Sequence, residues 1–148
     1  MSGPDYDDPA VEEQWCFDMR AQVARYLETG QVSHGQIGKW PAWHVAPYVS
    51  VWAIESRTKP GWVGWWVICG DLPTDYVSAD EIKHPRKALE APADRWQGYC
   101  AAVRSGFMPD DMTIGGVPDS PGELLPLLES RAKTLAEWAS DDSMWEGV

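Results

Sequence analysis

Apolar positions along the chain follow two periods. Val11, Trp15, Met19, Val23 and Tyr26/Leu27 recur at helical spacing and form one stripe. Asp8 precedes the stripe as an N-cap, Pro9 suits the first helical position, and Glu12 and Glu13 suit its positive end. With Gly30 as a stop, these signals predict a helix over 9–29. A second stripe, Leu89, Ala93, Trp96, Cys100 and Val103, predicts a helix over 85–104. It starts on Pro85 and contains Pro92, which is expected to kink or split it. The third stripe is Leu124, Leu128, Ala132, Leu135 and Trp138/Ala139, opened by Ser120, Pro121 and Glu123. Pro126 moves the expected start of that helix towards Leu125.

The middle of the chain is different. Trp43–Ser56 and Trp62–Cys69 are rich in β-branched and aromatic residues and are separated by Arg57-Thr58-Lys59-Pro60-Gly61, a turn signal. They predict an antiparallel hairpin, with Pro47 on an edge or at a bulge. If Ser56 faces Trp62, one face carries Tyr48, Trp52, Ile54, Trp66 and Ile68. The other then carries Val49, Val51, Val63, Trp65 and Val67. Both faces are apolar, so the second is covered by helices of the same chain, by another subunit or by a ligand. A slip of one residue would exchange side chains between faces and leave both apolar. Gly64 marks a bulge or a close backbone approach. Gly70-Asp71-Leu72-Pro73-Thr74-Asp75 reads as a tight, acid-bearing turn, and Tyr76–Val77 as a short further strand. Ser78 and Glu81 form a capping-box pattern. Gln31–Pro41 and Phe107–Asp119 read as loops. The expected fold is α+β: a short antiparallel sheet of two to three strands packed against three helices. It forms a single domain over 1–148, with a loose lead at 1–7 and a tail at 140–148 that is mobile or folds back through Trp145.

Composition sharpens this. Ten Trp in 148 residues call for either a Trp-rich core or an apolar surface that meets a partner. A formal charge of −11 argues against nucleic acid and anionic membranes, both of which select clustered Lys and Arg. Cys16, Cys69 and Cys100 are too scattered for a disulfide framework or a zinc knuckle. No metal and no cofactor is implied, since His34, His44 and His84 are equally dispersed and carboxylates alone make weak oxygen sites. The acidic start of the chain lacks a signal-peptide pattern and no segment has the length of a membrane span, so a reducing cytoplasm is expected.

The runs Val45-Ala46-Pro47, Trp52-Ala53-Ile54-Glu55, Trp66 to Asp75 and Pro85-Arg86-Lys87-Ala88-Leu89 are the distinctive ones. Through them, and most of all through Gly-Asp-Leu-Pro-Thr-Asp, the chain resembles a family of small acidic single-domain proteins of unknown function, mostly from proteobacteria. The resemblance implies a bacterial cytoplasmic protein and brings no activity and no site residues.

Chemistry is sparse. Asp71, Thr74, Asp75, His84 and Arg86 are the polar residues that could gather at the turn. A His beside a carboxylate can act as general base and an Arg can hold an anion. Arg86 could equally pair with Asp71 or Asp75 and tie the turn down, which is the preferred reading. No nucleophile elbow or phosphate loop accompanies these residues. The excess of Trp favours instead a non-catalytic protein-binding or accessory role, inhibitor- or immunity-like, with a protein partner or a second copy meeting Trp52, Trp65 and Trp66. The alternative is a small enzyme working through Asp75 and His84.

Overall fold

The computed structural model describes residues 5–80, 82–106 and 121–148. The loop over Phe107–Asp119, the Ser120 cap and Glu81 lie outside them. Three helices, α1 (Pro9–Thr29), α2 (Pro85–Arg104) and α3 (Pro121–Ser140), surround a sheet of four antiparallel strands. The strands are β1 (Trp43–Val45), β2 (Val49–Glu55), β3 (Val63–Gly70) and β4 (Leu72–Ser78), in the order β1-β2-β3-β4. The class is α+β, with four strands where two to three were expected.

Two corrections account for the extra strands. Pro47 does not sit on an edge or bulge of one long strand. It lies in a turn, closed by Tyr48 N–H donating to the Val45 carbonyl at 2.7 Å, that divides the run into β1 and β2. The Gly70–Asp75 segment is not all turn: only Gly70–Asp71 reverses the chain, and Leu72 already belongs to β4. β4 absorbs Pro73 by setting two residues, Pro73 and Thr74, against the single residue Cys69, where a missing N–H is tolerated.

The hairpin register carries a similar device. At its turn, Ser56 N–H donates to the Trp62 carbonyl and Glu55 pairs with Val63, as the expected register has it. Between Ile54 and Glu55 the register shifts, Ile54 faces Trp65, and Gly64 becomes the extra residue. The shift regroups the faces. Trp66 and Ile68 join Val49 and Val51, whereas Trp52 and Ile54 join Val67 and Cys69. Both faces stay apolar, and this chain covers both. α1 packs Val23 and Leu27 on the Trp52 face, while α2 and α3 pack Leu89, Ala93, Trp96, Leu128, Ala132 and Leu135 on the Trp66 face. The result is a helix–sheet–helix sandwich.

Helix ends follow local chemistry. The Asp8 carboxylate accepts from Ala10 N–H, as an N-cap should. Gly30 ends α1 in a right-handed conformation, and Gln31 takes the positive φ of 54° instead. α2 runs unbroken through Pro92, held by buried Ala88, Leu89, Ala93 and Trp96, so the expected split does not occur. α3 starts at Pro121 rather than near Leu125. The tail is folded back: Asp142–Trp145 forms a 3-10 turn, and the Trp145 ring stacks on Trp43 with centroids 4.4 Å apart. Trp43 Nε1–H donates to the Met144 carbonyl, and Trp145 Nε1–H to the Trp138 carbonyl.

A side chain at the bulge tests this arrangement. A Cβ on Gly64 would come within 2.8 Å of Ser56 Cα. Gly64→Ala should therefore lower stability in urea by about 1–3 kcal/mol. Gly61→Ala, where no atom lies within 4 Å of the added Cβ but φ is positive, should cost only about 1 kcal/mol of backbone strain.

Candidate functional site

The β3–β4 turn is built against the β1–β2 turn. Gly70 has φ of +148°, and a Cβ there would overlap the Tyr48 carbonyl, so the position requires glycine. Asp71 N–H donates to that same carbonyl at 2.9 Å. From α3, Arg131 grips the turn twice: Nε donates to the Asp71 backbone oxygen at 2.6 Å and Nη2 to Asp71 Oδ2 at 2.7 Å. Beside this pair is a pocket of about 180 Å³ lined by Tyr48, Leu72, Leu135 and Trp138, with Asp71, Arg131 and Thr134 supplying the polar groups. Tyr48 is 54% exposed and meets Trp138 edge-on at 6.3 Å. An apolar cleft with a few convergent polar groups is suited to binding.

Asp75 is elsewhere. It lies within β4, opposite Ile68, and is 1% exposed. Its carboxylate accepts from Arg95 Nη1 at 3.1 Å on each oxygen, from Trp96 Nε1 at 3.1 Å and from Tyr76 N–H at 2.8 Å. Burial pushes its pKa up, and Arg95 and the N–H donors offset part of that rise. The arrangement also closes the sheet. Ala79 N–H donates to the Gly64 carbonyl, so by alternation the Tyr76 backbone groups point off the free edge of β4. The Asp75 carboxylate takes that N–H, and Arg95 reaches the Tyr76 carbonyl at 3.5 Å. An edge residue whose polar groups are occupied is a poor template for another strand.

His84 is the N-cap of α2. Its Nδ1 accepts from Arg86 N–H at 3.0 Å, which leaves Nε2 to donate to the Val148 oxygen at 3.2 Å. Arg86 does not pair with Asp71 or Asp75. It ties α2 to the end of α3 through the Ala139 carbonyl at 2.6 Å and Asp142 Oδ1 at 2.7 Å. Asp71, Asp75, His84 and Arg86 therefore have separate sets of partners. The cations that hold Asp71 and Asp75 are Arg131 and Arg95, 60 and 20 residues away in sequence, and neither carries a local signal. Trp52 and Trp66 are core side chains whose indoles donate to Ser50 Oγ and the Ile82 carbonyl. Trp65 is half-buried, edge-on to Tyr76. Among the described residues, the aromatics that do face solvent are Phe17, Trp40, Tyr48, Trp62 and Tyr76.

The class that these features define is an α+β sandwich domain with a small amphiphilic pocket at one end of its sheet. The chain belongs to the family of a domain of unknown function, DUF4826, whose model matches residues 9–145. No curated protein and no solved structure matches it. No helix among the described residues is long and apolar enough to cross a membrane.

Asp75→Asn keeps the shape and turns a donor against Arg95 or Trp96 in either amide orientation, so it should cost about 1–3 kcal/mol. The pH dependence follows from the raised folded pKa. Folded Asp75 holds its proton more tightly than the unfolded chain does. Its stability contribution is full below the unfolded carboxylate range and is lost as pH rises through the folded value. Urea titrations of both proteins across this acid range should show the wild-type advantage shrinking as pH rises. An advantage that grows with pH would mean that Arg95 outweighs burial.

Proposed function

We propose that this protein is a non-catalytic binding or accessory protein of the bacterial cytoplasm, acting through the Tyr48–Trp138 pocket. The observation that carries the reading is an aromatic side chain, Tyr48, left half in water beside a cleft that Leu72 and Leu135 line together with the Asp71–Arg131 pair. The pocket is below the roughly 300–1,000 Å³ of a drug-sized ligand site and suits one apolar side chain of a partner protein with a polar group beside it. An inhibitor- or immunity-like role fits a small acidic domain that presents such a pocket. The enzyme alternative rests on Asp75 and His84. It loses support because the first is committed to Arg95 and Trp96, and the second to capping α2.

A photo-crosslinking benzophenone residue in place of Tyr48 tests the reading in bacterial cells. A discrete adduct should form there, not at the exposed position of Lys133, and Thr134→Trp, which fills the pocket from its half-buried wall, should abolish it. Equal labelling at both positions, or no adduct with a monomeric purified protein, would overturn the proposal.

A further inference from the structure

Charge is unevenly divided along this chain. Between Thr29 and Gly70 it carries Lys39, Arg57 and Lys59 against the single acid Glu55, a net of +2, although the whole chain is −11. The fold brings this cationic tract to one place, the β2–β3 turn and the 33–39 segment laid beside it. Gly35 N–H donates to the Glu55 carbonyl, Glu55 N–H to the Gln36 carbonyl, and Gly38 N–H to the Ala53 carbonyl. Arg57 reaches across to Ser33 Oγ at 3.2 Å. None of the three cations is in an ion pair among the described residues.

Between the two segments runs an open groove of about 240 Å³, its apolar strip formed by Ile37, Ala53, Trp62 and Val63. Trp62 is 67% exposed, yet its backbone is fixed. Its N–H donates to the Lys59 carbonyl at 3.1 Å and its carbonyl accepts from Ser56 at 2.7 Å. The single acid in the tract is also committed. Glu55 Oε1 accepts from Gln36 N–H and Oε2 from Gly61 N–H, so one carboxylate braces both walls. A braced groove loses little conformational freedom on binding.

We infer that this groove is a docking surface for an acidic segment of a partner protein, one apolar side chain lying along Trp62 and its flanking carboxylates meeting Lys39, Lys59 and Arg57. Lys39 lines the groove beside Glu55, and Arg57 and Lys59 stand in the β2–β3 turn that bounds it. A small anion would engage only one of these places, whereas an extended acidic segment engages both. The acidic remainder of the molecule repels a long polyanion such as nucleic acid, whose binding scales with the phosphates neutralised. This surface is separate from the Tyr48 pocket and stands without it.

The test is fluorescence anisotropy of a labelled polyglutamate peptide with a central phenylalanine, titrated with the whole protein. A polylysine peptide of the same design and an oligothymidylate serve as comparisons. The acidic peptide should bind saturably and more weakly at higher salt. Trp62→Ala and the pair Lys39→Glu with Lys59→Glu should each raise Kd about tenfold, with melting temperatures unchanged because these side chains are exposed. Tighter binding of either comparison probe, no saturable binding of the acidic peptide, or variants of unaltered affinity would overturn the inference. Thr134→Trp should leave this affinity intact, so failure here and failure of the pocket reading are separable.

Discussion

Five of the buried indoles in this domain place their N–H on an acceptor, and much of the architecture meets that demand. Trp43 donates to Met144, Trp52 to Ser50, Trp66 to Ile82, Trp96 to Asp75 and Trp145 to Trp138. Removing an indole from water gains roughly 4–6 kcal/mol at most. Leaving its N–H without a partner gives back about 1–3 kcal/mol. The acceptors are therefore what make so aromatic a core worth its volume. They also explain oddities elsewhere: a serine fully buried beside Trp52, an aspartate inside a strand, and a tail drawn onto β1. Among the described residues no buried side-chain nitrogen or oxygen lacks a partner.

The helices were legible because their stripes, caps and prolines act within a few residues. α1 runs where its stripe and Asp8 place it, and Leu89, Ala93, Trp96 and Cys100 of α2 and Leu128, Ala132, Leu135 and Ala139 of α3 are buried as expected, whereas Val103 is only partly so. The sheet was only half legible. Gly64 announced an irregularity, but its effect, moving Trp66 and Ile68 to the face opposite Trp52, depends on how both strands meet the helices. Leu72–Asp75 carries turn residues in number. It is nevertheless strand, because the Asp75 carboxylate and the Thr74 hydroxyl oxygen find donors in α2 and α1 that outweigh the local preference. The candidate site was legible in position and not in composition. The turn after the Trp-rich strand does border a pocket, but its walls come from Tyr48 and from α3, residues far away in sequence. Long-range cations cannot be paired with their acids from spacing alone.

The domain has two differently equipped ends. At one, Asp71 and Arg131 neutralise each other at the rim of an aromatic cleft. At the other, an exposed indole stands beside Lys39 and a Glu55 carboxylate taken up by backbone N–H groups. Between them the Asp75–Arg95 pair occupies the outward backbone groups of Tyr76 on the β4 edge.

The Trp43–Trp145 stack is long-range, and the bond beside it joins Trp43 to Met144, 101 residues away in sequence. The four-strand meander can form from near neighbours, but the outer face of β1 stays open until residues 142–145 arrive. During synthesis, most of the domain must therefore wait with one aromatic face uncovered, and chaperone recognition of the nascent chain is best sought at that face.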